Sequence, residues 1–552
     1  MQIIIIIVAV LLLFFAAGYR IEQNEKKAYR QSLKDGYGKA NKRKYGADEL
    51  LSIKGYNSFH KSEDMIDDTT WNDLDMNLIY AAMNYCRSSA GDEYLYYMLR
   101  NPLTRDIDIS DMEKKVSLLS EDENTRLDLQ MCLHEMGRTG SYSIYSYLNR
   151  LDEVKSTPKL KSMIGPLLYI PAIVLSFFSL AWGLGCIFVL ALYNIASYFK
   201  HKNKIEPYIV CFEYVFRILD NCDRICETVK QKEDHVLKEE TFRLSEISKN
   251  FKSFKRFSSL VVGKLGTGPV GIVMDYVKML THMDLIKFDS MLIQVKEHKN
   301  EVDEILGIIG RIDCYIAIGE YRAFLKKWCT PDLSFDNKGL YIANGYHPLI
   351  KDAVPNSIDA KKCVLLTGSN ASGKSTFLKM VAVNALLAQS VNTVCAEEYR
   401  APYYSIYSSL SLKDSIVSGE SYYMAEIRSL KRIMDAVDRN KHVLGFVDEV
   451  LRGTNTIERI AASSAILRNL NLKGVLVFAA THDLELTKIL EEEYDNYHFT
   501  EVIDAEDVRF PYKLAEGKAV SRNAIRLLIS MGYDSDIIDG AIEMVKKMEN
   551  RS

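Results

Sequence analysis

The 552-residue chain lacks several features that would narrow its class. With 70 basic and 73 acidic residues its formal net charge is −3, so no overall positive excess marks it as a binder of polyanions. Ten cysteines occur without metal-like pairing. Cys222 and Cys226 lie four apart on a predicted helix with no accompanying histidine pair, which argues against zinc and for reduced cytosolic thiols. No internal repeat or low-complexity tract stands out, which removes repeat architectures and leaves a chain long enough for roughly three to four domains.

Long apolar runs, by contrast, are present. Ile3–Ala17 is unbroken, and with Met1 and Tyr19 it reaches about 19 residues, near the minimum for crossing about 30 Å of hydrocarbon. No basic residue precedes it, whereas Arg20, Lys26, Lys27 and Arg30 follow, a charge order that favours an uncleaved anchor over a cleaved signal peptide. The second stretch, Met163 to Phe199, suffices for two short crossings, with a turn expected at Trp182, Gly183 and Gly185. Lys155, Lys159 and Lys161 before it and Lys200, Lys202 and Lys204 after it fit a hairpin with both ends cytoplasmic; a buried soluble hairpin is the alternative. A multi-pass cell-membrane protein with the bulk of its chain in the cytoplasm is therefore expected. Residues 20–60 read as a polar, basic, loosely ordered stalk.

Three short segments carry chemistry. GSNASGKS, Gly368 to Ser375, fits G-x-x-x-x-G-K-[ST] between an apolar strand pattern (Cys363–Leu366) and a helical one (Thr376–Gln389). That is the setting of a phosphate loop. Gly368 and Gly373 would turn successive backbone N–H groups toward phosphates, Lys374 would reach the β- and γ-phosphates, and Ser375 would hold Mg²⁺, with Ser369, Asn370, Ala371, Ser372 and Thr376 also assigned to the nucleotide site. The run Val443–Val447 ends in Asp448, a second Mg²⁺ ligand, and Glu449, placed to orient or deprotonate an attacking water. A third apolar strand, Val475–Ala480, ends in Thr481 and His482, the latter a candidate γ-phosphate contact. The order and spacing point to an ATP hydrolase with catalytic Lys374, Glu449 and His482.

DEVLRGTNT (Asp448–Thr456) followed by FAATHDLELT (Phe478–Thr487) resembles the ATPase domain of the MutS family of mismatch-repair proteins. GYHPLI (Gly345–Ile350), SGESYYMAEI (Ser418–Ile427) and the run Trp71–Leu103 resemble further parts of that family, so the likeness covers most of residues 65–548. It implies a multidomain protein: an α-helical core and lever region, an α/β P-loop (ABC-type) ATPase domain, and here about three transmembrane helices besides. The expected layout is an anchor at 1–19, stalk and first helical core at 20–162, a transmembrane hairpin at 163–199, levers at 200–335, the ATPase domain at 336–520 and a dimerising helical pair at 521–552.

The resemblance further implies a homodimer in which Ser418, Gly419 and Ser421 reach the ATP held by the partner, with ATP and Mg²⁺ as cofactors and the loop Arg452–Thr456 at the subunit boundary. Ser418 is equally readable as a plain helix cap ahead of Met424, Ile427 and Leu430. Departures from the family's mismatch-repair members are expected: no room for a recognition domain before residue 65 and no obvious β-rich counterpart of the clamp between 200 and 330. Ala353 and Val354 stand where a base-stacking aromatic is expected. DNA, mismatched or branched, is the substrate that the resemblance implies; the alternative is a tethered ATPase acting on a protein or envelope partner with no DNA role. KNFKSFKRF (Lys249–Phe257) reads as a core-facing helix with a basic outer side, open to nucleic acid or anionic lipid, and glycines 263, 266, 268 and 271 as a turn. Ser521 would cap a helix to Met531, and Asp536 would begin a second.

Overall fold

The structure, a computed structural model, describes residues 2–102, 108–154, 159–230, 236–251, 269–333, 339–369, 372–410, 422–437, 442–451, 455–500, 502–504, 507–519, 529 and 532–549. Its first helices are α1 (Gln2–Gly36), α2 (Ala47–Ile53), α3 (Gly55–Phe59), α4 (Asp68–Asp73), α5 (Met76–Met83), α6 (Ser89–Arg100), α7 (Ile109–Glu121) and α8 (Glu123–Met136). Then follow α9 (Ile144–Leu148), α10 (Lys159–Leu167), α11 (Tyr169–Phe178), α12 (Leu180–Lys230), α13 (Lys238–Asn250), α14 (Pro269–Thr281), α15 (Met283–Glu297) and α16 (Lys299–Phe324). Contacts divide the chain into two units: Met1–Lys61 with Met83–Tyr97 and Asp108–Phe324, and Ser62–Ala82 with Met98–Ile107 and Leu325–Ser552. The second therefore takes two pieces from the N-terminal region that linear order assigns to the helical core.

The first unit is helical around α16, which is buried at most positions from Val302 to Arg322. A carboxylate sits at its middle. Asp313, fully buried, accepts from the backbone N–H groups of Arg87 (3.0 Å) and Ser88 (2.8 Å) and from Ser88 Oγ (2.6 Å), tying down the segment that leads into α6. Burial raises its pKa to about 6 despite these bonds. Gly91 lets α6 approach this closely, since a Cβ there would lie 2.2 Å from the Asp313 carboxylate.

Residues 20–60 are ordered rather than a loose stalk. α1 continues unbroken to Gly36, where Lys26 pairs with Glu135 (3.2 Å), Arg30 with Asp128 and Lys34 with Glu123 (2.7 Å), all on α8. Beyond α1, Arg43 forks onto Asp92 (2.7 and 2.8 Å) and Tyr56 is buried with its N–H on Glu93 (2.8 Å). The basic residues meet acidic partners roughly one hundred positions away, which a reading of local composition misses.

Residues 163–199 form a hairpin, but it turns at Ser179, between α11 and α12, not at residues 182–185. Gly183 already packs beside Ser176, where a Cβ would meet the backbone at 2.4 Å. α12 then runs through Pro207 to Lys230 without a break at residue 200. Large apolar side chains face outward along the hairpin, including Phe177 (86% exposed), Phe178 (84%) and Trp182 (74%). Among the described residues one helical stretch, Leu180–Lys200, is long and apolar enough to cross a membrane; Met163–Phe178 is a shorter apolar arm.

The second unit is built on strands β1 (Leu340–Gly345), β2 (Asn356–Ala360), β3 (Cys363–Thr367), β4 (Glu398–Arg400), β5 (Ser405–Ser409), β6 (Val443–Asp448), β7 (Leu476–Ala480), β8 (Tyr494–Phe499), β9 (Val502–Asp504), β10 (Asp507–Arg509) and β11 (Leu514–Glu516). Its helices are α17 (Lys374–Val391), α18 (Tyr422–Val437), α19 (Thr456–Leu472), α20 (Leu484–Ile489) and α21 (Ser535–Glu549). Six strands make a sheet in the order β11-β8-β3-β7-β6-β5, parallel except where β11 meets β8, and β2-β1-β4 form a separate antiparallel sheet. β3 and β7 are buried at every position, as apolar strands covered on both faces must be. Cys363, Leu365, Val443, Val447, Val477 and Ala479 share one hydrophobic cluster with Leu430 and Ile433 of α18 and Leu467 and Leu470 of α19. The alternate residues Phe446 and Phe478 stack with ring centres 5.5 Å apart.

β5 is an outer strand, and α4 covers it. Thr70 Oγ1 accepts from Ser408 N (3.2 Å), while Asp73 accepts from Leu410 N (2.9 Å) and Ser408 Oγ (2.7 Å). Arg432 of α18 reaches both Asp67, the N-cap of α4, and the Ser408 carbonyl. Polar groups of an edge strand that would otherwise face solvent are thereby paired.

Candidate functional site

Register assembles the site. Leu366 of β3 and Asp448 of β6 both lie opposite Ala480 of β7, so the three parallel strands end together and release their next residues at one edge of the sheet. Thr367–Gly368, Asp448–Glu449 and Thr481–His482 are thus neighbours although they span more than a hundred positions. Crevices at the C-terminal ends of parallel strands are where open α/β sheets bind ligands.

The loop after β3 needs its glycines. Gly368 has φ +141° and Gly373 φ +104°, conformations side chains rarely adopt. Gly373 also lies so close to Tyr512 that a Cβ there would sit 3.1 Å from the ring. Lys374 opens α17, is buried, and donates from Nζ to the carbonyls of Gly368 (2.7 Å) and Ser369 (2.8 Å), with His482 Nε2 at 3.4 Å. Ser372 Oγ donates to the Ser369 carbonyl (2.8 Å). Ser369 Oγ is enclosed with no hydrogen-bond partner among the described residues, and Thr376 is exposed on the first turn of α17.

Across from the loop, Ser375 Oγ donates to Asp448 Oδ2 at 2.5 Å. Two hard oxygen ligands therefore meet at one point, a pairing suited to Mg²⁺, which takes few protein oxygens and completes its shell with water and phosphate. Glu449 Oε1 lies 2.6 Å from His482 Nε2. Thr481 N donates to the Leu366 carbonyl (2.9 Å), and Asp483 holds Arg459 of α19 with two bonds (2.6 and 2.9 Å), which fixes the strand end that carries His482.

Of the residues singled out from sequence, Gly368, Ser369, Ser372, Gly373, Lys374, Ser375, Thr376, Asp448, Glu449 and His482 come together here. Asn370, Ala371, Ser418, Gly419 and Ser421 lie outside the described residues, as do Arg452–Thr454, most of Lys249–Phe257, glycines 263, 266 and 268, and most of Ser521–Met531. Two neighbours were missed by sequence reasoning. Tyr512 stands against the glycine loop in a segment with no motif of its own, and Glu426 reaches the turn after β6 from α18 (Leu451 N to Glu426 Oε1, 2.5 Å). The acidic residue inside an otherwise core-facing helical stripe was the available signal for Glu426.

A mostly parallel sheet with a glycine loop, a lysine and two carboxylates at its C-terminal edge defines an α/β domain with a candidate ligand crevice at that edge. Residues 364–549 match MutS domain V. DNA mismatch repair protein MutS of Natronomonas pharaonis is 30% identical over 275 residues, covering 48% of this chain and 32% of that protein. The Thermus aquaticus protein of the same name is 29% identical over 272 residues, covering 48% and 33%. The alignments thus take in about a third of the length of the curated relatives. The likeness to the MutS family thus lies in the C-terminal half of the chain.

Proposed function

We propose that this chain is a membrane-anchored, MutS-like ATPase that works as a homodimer. The observation that carries the reading is the Ser375–Asp448 contact beside the Glu449–His482 pair, with Lys374 between them and the glycine loop. Lys374 would exchange its two loop carbonyls for phosphate oxygens, a favourable move because a buried ammonium gains charge-assisted bonds. The unsatisfied Ser369 hydroxyl fits an anionic ligand equally well. Mg²⁺, when bound, would supply charge neutralisation on the phosphates, held by Ser375 and Asp448. Glu449 would orient and deprotonate water, and His482 would hold Glu449 and the γ-phosphate side of the pocket. Tyr512 offers the base an aromatic face that Ala353 and Val354 do not. Ser418, Gly419 and Ser421 of the partner subunit would close each site, so that hydrolysis opens and closes a dimer rather than making a product for its own sake.

The exposed apolar hairpin supports tethering. At about 1.5 Å per residue, Met163–Phe178 spans about 24 Å and Leu180–Lys200 about 32 Å, against about 30 Å of hydrocarbon. The apolar first half of α1 would add a further anchor. DNA, on which the similar mismatch-repair proteins act by name, is the target we infer; the outward-facing hairpin favours, as a second reading, a protein or envelope partner. ATP turnover by the detergent-solubilised full chain separates these. Lys374→Ala and Glu449→Gln should each lower it about 100-fold or more, and persistence of turnover in both would remove the assigned site. Stimulation by DNA that fades steeply with salt marks a DNA substrate; a Glu449-dependent rate indifferent to homoduplex, mismatched and branched DNA marks the other partner class.

A further inference from the structure

The three-residue turn that carries Glu449 is pinned at every residue, each time from a different element. Glu449 N donates to the Ala480 carbonyl of β7 (2.9 Å), Ser463 Oγ of α19 donates to the Val450 carbonyl (3.1 Å), and Leu451 N donates to Glu426 Oε1 of α18 (2.5 Å). The turn needs such restraint. Glu449 has φ +56° and Leu451 φ +61°, left-handed conformations that cost side-chain-bearing residues energy and persist only where the surroundings impose them. Glu426 itself is 3% exposed, a place where a carboxylate is stable only if hydrogen-bonded. Ser463 is fully buried and Leu451 lies in the hydrophobic cluster under the sheet, so neither can move to compensate if the Glu426 contact is lost.

We infer that Glu426 is a positioning residue for hydrolysis: by accepting from Leu451 N it fixes the left-handed turn, and through the turn the direction of the Glu449 carboxylate. The inference rests on the ATPase reading above. α18 is in turn anchored by Arg432 to Asp67 and to the Ser408 carbonyl, so the turn is referred to the outer strand and α4 through a single helix. A shift of α18 would swing Glu449 away from His482 while leaving Lys374 and Ser375 in place. Misplacing a catalytic group by about 1 Å costs on the order of 100-fold in rate. Glu426 therefore governs turnover without governing affinity.

The experiment measures kcat, KM for Mg·ATP and binding of a non-hydrolysable ATP analogue in the detergent-solubilised full chain. Glu426→Leu should lower kcat about 10- to 100-fold with analogue affinity unchanged, and Glu426→Gln, which keeps an acceptor oxygen, should restore most of the loss. Retention of kcat within about twofold by Glu426→Leu, or equal loss in the Leu and Gln variants, overturns the role. Should Glu426→Leu lose analogue binding, Glu426→Asp decides: its carboxylate falls short of Leu451 N, and a kcat near that of the wild type overturns the proposal, whereas a tenfold loss at unchanged affinity supports it. Glu449→Gln is run alongside. Wild-type turnover that Glu449→Gln does not reduce defeats the ATPase reading and the positioning role with it, whereas a normal Glu449 effect with an indifferent Glu426 defeats the positioning role alone.

Discussion

Two regions of this chain are both rich in apolar residues and opposite in setting. β3, β6 and β7 are short runs buried at every residue, while α11 and the first half of α12 are long runs that turn phenylalanine, leucine and tryptophan outward. Length and punctuation separate them. A strand of five or six apolar residues ended by glycine or a carboxylate can be covered by helices of its own domain, as α17, α18 and α19 cover these. A helical hairpin of sixteen and twenty-one apolar residues outruns what its own unit supplies, and its surface is built for another solvent or another protein.

The comparison can be broken most forcefully at matched phenylalanines. Phe478→Ala should cost about 3–5 kcal/mol, whereas Phe178→Ala should change stability by less than about 0.5 kcal/mol; urea titration monitored by nucleotide binding measures both, and equal costs would mean that the hairpin is covered after all. Next in size is a charge in the second arm. Val189→Arg should disfavour bilayer insertion of the hairpin by about 2.5–3.5 kcal/mol, seen, in a chain from which residues 2–17 are removed, as loss from carbonate-washed membranes, while ATP turnover of solubilised protein stays intact. Unchanged membrane retention would assign the exposed face to a protein partner.

The smallest effect sharpens the other side. His347, in the second unit, is buried beside Lys379, and both burial and that charge push its pKa down to about 4, against the opposing pull of Asp75. The folded state thus keeps it neutral where the unfolded chain, titrating near 6.5, takes up a proton. Stability should accordingly fall as pH drops, by about 2 kcal/mol between pH 7 and pH 5, and His347→Gln should flatten that slope. An unaltered slope would mean that this interior is wetter than its packing indicates.

How much of this was legible in the sequence follows from the range of each interaction. The strand–glycine loop–helix at Cys363–Val391 was readable because its parts are contiguous and its φ values demand glycine at 368 and 373. Asp448, Glu449 and His482 were readable because each closes a short apolar run. Long-range partnerships were not. Nothing local announces that Asp73 binds a strand 335 residues away, or that Lys26, Arg30 and Lys34 face a row of acids on α8. Trp182, Gly183 and Gly185 suggested the hairpin turn by composition, yet Gly183 serves close packing against Ser176 instead. Tyr512 owes its relevance wholly to folding, and Glu426 is marked in the sequence only as an acid inside a core-facing stripe.

The cover that α4 places on β5 bears on how the molecule can be divided. A fragment beginning at Leu325 would keep every motif of the candidate site and discard Thr70 and Asp73, baring the N–H groups of Ser408 and Leu410. An unprotected strand border is a template for the same border of another copy, so the excised half would tend to stack edge to edge. Residues 62–82 are in this sense an inseparable part of the second unit, and a usable truncation has to carry them along.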